Sequence, residues 1–348
     1  MYLGVPIGIN YDQTPYDTLK KLVSDTNKIL DSDLLNWQKL KAFKFILYPR
    51  LIYSFRTREI KTTFLSVKNS KNNNQSNVSS KLRSALRRML NLPKNSEVCY
   101  LYSSTDNGGA GLNDLRDEYS IQSIVQAFRL LNSKCSHTKQ IISDSLCFTA
   151  ASRLNVDFAD LSSALTWLTT GNNKGNILSK KSRWFRVKRA IGYLEKNHNF
   201  SIFFEILQNS IAIRITSNIR GTCILTSVHR NICSKVLHTA VEDSYFNKWQ
   251  NSKLSNFITD TVISSQLNKI IFRGDIGNFA WNFIHRARTN TIPVNARPMN
   301  KNPESRLCRR CHSTAETLSH AIQSCNLIKM LSRQRHDACL KLIWDYIS

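Results

Sequence analysis

The chain is expected to be mainly α-helical, with one small β-hairpin and a metal-binding turn near its C-terminus. Three observations carry that expectation. Apolar residues recur at helical spacing along much of the 348 residues, Ile and Phe crowd two short stretches between 200 and 216, and a Cys-x-x-Cys pair stands ahead of a His and a further Cys. At this length a sizeable core can be buried, and two or three domains would be usual.

Leu19, Leu22, Val23, Thr26, Ile29 and Leu30 follow the i, i+3, i+4 rule and predict a first helix. Asp31 or Ser32 is placed to cap a second, which carries Leu34, Leu35, Trp37, Leu40, Phe43 and Leu47 and should end before Pro49. Residues 68–77, a run of Lys, Asn, Ser and Gln, offer almost nothing to bury and read as a flexible loop. Leu82, Leu86, Met89 and Leu90 form the next apolar face, with Lys81, Arg83, Arg87 and Arg88 around it and Pro93 closing it. Asn107 to Gly111 is a turn cluster. It lacks the following Lys-Ser or Lys-Thr of a phosphate-cradling loop, so it reads as a plain turn. Ile121, Ile124, Val125, Phe128 and Leu131 mark another helix, and Thr170 to Gly175 reads as a linker and soft domain boundary.

Beyond it, Trp184, Val187, Ile191 and Leu194 predict a helix, and Lys180, Lys181, Arg183, Arg186, Lys188 and Arg189 make its start strongly basic. Phosphate contact with base stacking on Trp184 and Phe185 is one reading. A solvated basic face with the aromatics in the core is the favoured one. The hairpin pairs Phe200–Leu207 with 211–216, where Ile211, Ile213 and Ile215 alternate and Asn209 and Ser210 make the turn. A long helix follows from about Val228 to Trp249. A last one, capped by Asp275, carries Ile276, Phe279, Ala280, Phe283, Ile284 and Ala287 and stops at Pro293. Arg286 and Arg288 make its end basic.

Charge narrows the function. Lys and Arg total 49 against 24 Asp and Glu, a net +25. Such a charge opposes compaction unless a polyanion neutralises it. No run of about 18 apolar residues is present to span a bilayer, and Met1 to Pro6 lacks the charged and apolar regions of a signal peptide. RNA or DNA is therefore the expected partner rather than a membrane. The nine cysteines are scattered except for one cluster, which points to reduced thiols in an intracellular protein.

That cluster is the sharpest local signal. Cys308 and Cys311 form a CxxC pair, followed by His320 and Cys325. Random scatter of the cysteines would give about 0.2 CxxC pairs in the chain, before the other two residues are required. A tight turn brings both thiolates to one ion, and His320 and Cys325 would complete a closed Cys3His set for a structural zinc. His312 rivals His320, but it directly follows Cys311, where the geometry is awkward. Cys99, Cys135, Cys147, Cys223, Cys233 and Cys339 are expected to be free and mostly buried. Arg306, Arg309 and Arg310 surround the first two ligands, as suits phosphate contacts. Catalytic patterns are poorly represented. Polymerase chemistry needs paired carboxylates on two metal ions, and no Asp-Asp dipeptide, GxSxG, HExxH or Walker-type loop occurs. Glu242 and Asp243 lie in a predicted helix and read as a solvated pair.

Several stretches resemble the reverse transcriptases of non-long-terminal-repeat retrotransposons, the site-specific clade with a restriction-like endonuclease above all. Tyr2 to Gly8 is similar to the stretch after the palm, and 34–40, Pro49 to Leu51, Leu90 to Pro93, 108–112 and 126–131 to the thumb. Residues 283–290 resemble the linker, and Cys308, Cys311, Glu316 to Leu318, His320 and Cys325 the zinc knuckle. The likeness is strongest in 1–132 and 275–340 and weak in 150–270, and the polar insert near Lys71 to Ser80 departs from it. It implies a thumb-like helical region over 1–135, a basic helical linker over 136–300, and a knuckle with a C-terminal helix over 301–348. It also implies a nuclear protein that binds RNA and DNA in target-primed reverse transcription. The polymerase palm and endonuclease of the parent polyprotein would be missing, so this chain is not expected to be an enzyme. Two other readings stay open: residual polymerase or nuclease activity, and a protein-interaction module from a decayed element.

Overall fold

The computed structural model describes residues 13–65, 78–170, 182–207, 210–252, 268, 276–296, 302 and 304–347. The expectations for residues 2–8, 68–77, 171–175, Lys180, Lys181, Asn209 and Asp275 lie outside the described residues. Helices dominate, with one small antiparallel sheet.

The first helix, α1, spans Tyr16–Asp31 and buries Leu19, Leu22 and Thr26. The next begins later than expected, as α2 (Asn36–Ala42). Neither Asp31 nor Ser32 caps it. Asp31 ends α1, and the Ser32 hydroxyl donates to the Ile29 carbonyl at 2.6 Å. Gln38 does the capping instead, its Oε1 accepting the Leu35 N–H at 2.9 Å. A π turn (Phe43–Leu47) follows, and Pro49 opens α3 (Arg50–Thr57) rather than only closing a helix. Its fixed φ and missing N–H suit a helix start. Next come α4 (Val78–Met89), the short α5 (Val98–Tyr102) and α6 (Leu115–Leu131). The turn at 107–111 folds back on α5, with Ala110 N–H donating to Tyr100 O and Gly111 N–H to Ser103 O. It is a plain turn. Leu51, Phe55, Leu86, Met89 and Tyr100 form the core of this part.

A second core begins on α6 at Ile121 and takes in α7 (Ser136–Leu154), α8 (Leu161–Thr170), α9 (Arg183–His198), the sheet and α10 (Cys233–Gln250). Helices α7 and α8 escaped the sequence pattern. The buried residues of α7 include Ala150 and Ala151, while Ile141 and Phe148 face solvent, so the apolar period is scrambled. Because α8 and α9 share this core, no division of packing falls at Thr170.

In the sheet, β1 (Phe200–Leu207) pairs with β2 (Ser210–Ser217), and Ile202 faces Ile215 across the ladder. The hairpin is as expected. A third strand, β3 (Gly221–Leu225), adds to β2; it was not expected, because its five residues open on a Gly and show no alternation. Ile202, Phe204, Ile211, Ile213, Ile215 and Leu225 turn into the core. Helix α11 (Asn278–Arg288) starts at Gly277, and its Trp281 joins Trp249 of α10 in the first core. The last helix, α12 (Asn326–Ile347), leaves the metal turn. No described helix is long and apolar enough to cross a membrane.

Candidate metal centre and basic surfaces

The metal turn is a small hairpin. Leu307 and Ala315 bridge antiparallel, and Cys308 N–H donates to Thr314 O at 2.7 Å. The loop between them tightens where His312 N–H donates to Cys308 O at 2.9 Å, with His312 at φ 52°. His312 thus serves the turn. A π turn (His320–Ser324) then brings the second pair together, with Cys325 N–H donating to His320 O at 2.9 Å.

The ligand atoms of Cys308, Cys311, His320 and Cys325 all lie within 4.8 Å of one another. Cys311 Sγ is 3.3 Å from His320 Nε2, and the Thr314 hydroxyl is 3.1 Å from the other ring nitrogen, Nδ1. Metal bonds of about 2.0–2.3 Å separate tetrahedral ligand atoms by about 3.5–4 Å, close to what this set offers. Cys308 and Cys325 are 2% and 0% exposed. The Ser313 hydroxyl, donating to the Cys311 sulfur, is the chief cause that pulls that thiol down to about 5, whereas burial pushes Cys325 up. Three sulfurs and one imidazole therefore converge on a volume able to hold a metal ion.

Arg309 is spent on this structure rather than left for phosphate. Its Nη2 lies 2.6 Å from Glu316 Oε1 and 2.6 Å from the Pro293 carbonyl, and its N–H donates to Glu316 Oε2 at 2.8 Å. Glu316 is 5% exposed, and the Arg309 side chain holds its carboxyl below the usual range. Arg306 and Arg310 stay exposed on the same turn.

Neither protein-family models nor curated proteins yield a match to this chain.

The other predicted basic residues that are described, Lys180 and Lys181 being outside them, divide into two sets. Lys81, Arg88, Arg183 and Arg189 are exposed. Only a loose pair at 3.8 Å joins Arg88 to Asp31. The rest are drawn inward. Arg83 pairs with the buried Asp114 at 3.2 Å, and Arg87 donates to Ser96 O at 2.8 Å. Arg186 donates to Arg58 O at 2.7 Å, just past the end of α3. Arg286 and Arg288 donate to Asn91 O and Gly108 O, at 2.8 and 2.7 Å. Lys188 is the clearest correction. It is 8% exposed, donates to Trp167 O, and burial pulls its amine down to about 8. Carbonyls at helix ends and turns attract these cations because they have no backbone donor of their own. His285 is fully buried beside Tyr100 and Trp281, and burial brings it down to about 3, leaving it neutral. Trp184 lies in the core, as favoured.

The sequence reading missed a buried ionic hub at the start of α6. Asp114, Asp117 and Glu118 are 7%, 2% and 1% exposed. His198 of α9 lies 2.9 Å from Asp117, which also accepts the Tyr245 hydroxyl at 2.6 Å. His238 of α10 lies 2.8 Å from Glu118, which accepts Asn113 and Gln122 amides as well. Burial opposes the charged carboxylates, but their donors prevail and hold Asp117 and Glu118 below the usual range. A helix start rich in acidic residues reads as dipole complementation, so only the histidines 80 and more residues away reveal the hub. Asp243 likewise is not solvated. It is 5% exposed and held by Arg220. Of the other cysteines described, only Cys233 is buried; Cys135 is exposed, and Cys99, Cys147 and Cys223 are half-buried. The Cys339 side chain lies outside the described residues.

Proposed function

We propose that this chain is a nucleic-acid-binding portion of a non-long-terminal-repeat retrotransposon reverse transcriptase, acting on RNA and DNA in target-primed reverse transcription. The observation that carries the reading is the convergence of Cys308, Cys311, His320 and Cys325 on one site that displays the exposed Arg306 and Arg310. The net charge of +25 and the motif resemblance support it. Zinc suits three thiols and one imidazole, and with four protein ligands it would be structural, fixing the turn and leaving no open position for a substrate. Phe45, Ile46 and Tyr53, between half and two-thirds exposed on the π turn and α3, are the side chains that the reading assigns to contact with a polymerase palm.

The enzyme reading gains carboxylates in space but loses them to other partners. Asp114, Asp117 and Glu118 come together on α6, yet Arg83, His198 and His238 occupy them. They are not free to hold two Mg²⁺ ions, so primer extension and plasmid nicking with Mg²⁺ are expected to give no product. The reading as a whole is tested by zinc content and by RNA and DNA affinity over a salt series. We expect one zinc per chain and, with about five phosphate contacts, a log–log slope near −4.5. A slope near zero together with a zinc-free protein would overturn it.

A further inference from the structure

An open groove of about 610 Å³ runs between the metal turn and the first turns of α12. Ile322 reaches it from the π turn, and Asn326, Ile328, Lys329, Met330, Arg333 and His336 from α12. All of those on α12 but Ile328 recur at i, i+3, i+4, i+7 and i+10, the spacing that keeps side chains on one side of a helix. The groove exceeds the ~300 Å³ at which small-molecule sites begin. Its apolar floor is open, with Ile322 45% and Met330 57% exposed. Lys329 and Arg333 are exposed beside it, about 6 Å apart along the helix axis. The acidic group at the far end is Asp337, 3.3 Å from His336. The Cys325 carbonyl accepts the Ile328 and Lys329 N–H groups at 2.9 Å, so the candidate metal ligand also sets where α12 begins.

We infer that this groove binds single-stranded nucleic acid, with unpaired bases on Ile322 and Met330 and the backbone phosphates on Lys329 and Arg333. The inference rests on the nucleic-acid reading above and narrows it to one strand form. Charge selects a linear polyanion, since two cations follow each other along the groove wall. The apolar floor selects unpaired bases, because a duplex hides base faces in its stack and presents mainly phosphate and groove edges. Asn326, exposed at the near end, offers an amide to a base edge.

The test uses the full zinc-loaded chain and dye-labelled oligonucleotides: a single-stranded polyuridine 20-mer and an RNA duplex of equal length, read by anisotropy. Ile322→Ser and Met330→Ser remove apolar contact at exposed positions without changing charge. Each is expected to weaken single-strand binding about tenfold and to leave duplex binding within about twofold. Lys329→Gln with Arg333→Gln should flatten the single-strand salt slope by about 1.4, two contacts at roughly 0.7 each. If the serine variants bind single strand as the parent does, or lose both forms equally, the groove assignment falls while the nucleic-acid reading stands. If the parent binds neither form at any salt, both fall. Tight binding of a polyglutamate peptide that Met330→Ser abolishes would assign the groove to an acidic protein segment and overturn the inference.

Discussion

At Cys308 and Cys325 two thiols are shut away from water, with Cys311 and His320 beside them. Such a cluster is held together cheaply by an ion and poorly without one, since a structural zinc contributes about 10–16 kcal/mol to folding. Cys308→Ser is therefore expected to lose the metal and open residues 302–347 to limited proteolysis, with most of the far-ultraviolet helical signal retained. Loss of metal with an unchanged digest would show that the turn folds without it. The hub gives a second expectation. Burial works against the His238 cation, but Glu118 raises it above the ordinary 6.5, and Glu118 itself falls below 4.5. A raised histidine stabilises below its unfolded value and loses that contribution as pH rises through the folded one. A lowered carboxylate stabilises above its unfolded value and loses it as pH falls through the folded one. The pair thus contributes most between about 4.5 and 6.5. His238→Gln should cost about 3 kcal/mol there, from leaving a buried carboxylate half-satisfied, and markedly less once the pH has risen through the raised folded value of His238. Thermal melts of both proteins across pH check it; a difference flat with pH would show that His238 acts neutral.

Elements were legible where one face is apolar and the other polar. The faces of α1, α4, α9 and β1–β2 repeat in sequence and form in the structure. Those of α7 and β3 did not show, since Ala150 and Ala151 pack a core without a loud hydrophobic period and the five residues of β3 are too few to show an alternation. The turn at 107–111 was legible as a turn, but its tightness is tertiary. A Cβ on Gly109 would stand 2.4 Å from the Ser103 carbonyl oxygen, and Gly111 holds φ +63°. Gly109→Ala is expected to destabilise by about 2 kcal/mol or more, because backbone has to move. Urea unfolding measures it, and a change under about 0.5 kcal/mol would mean the turn gives way freely.

Over the whole molecule, α6 belongs to both cores, facing α3 at its start and α9 and the sheet beyond Ile121. The hub sits at that handover, and Trp249 and Trp281 return late segments to the first core. Net charge was readable at once, but its layout was not. Replacing the exposed Arg183 and Arg189 together by Gln is expected to weaken RNA binding about tenfold, from two lost phosphate contacts. Lys188→Met should leave affinity within about twofold, because that amine serves Trp167. Affinity titrations at one fixed salt compare them, and equal losses would mean that total charge alone matters.

The sequence by itself determined the helical class, the hairpin, the excess of positive charge and the four metal-ligand candidates. Each is written in local spacing or in simple counts, and neighbours along the chain suffice to read it. Tertiary structure decided which cations remain outside. Arg83, Arg186, Lys188, Arg286 and Arg288 look in sequence like Arg183 and Arg189, yet each finds an acceptor brought by a distant segment. It also decided that Asp114, Asp117 and Glu118 are buried partners of Arg83, His198 and His238 rather than a helix's solvated first turn. Charge follows composition, but its availability depends on which carbonyls and carboxylates the fold brings within hydrogen-bonding reach.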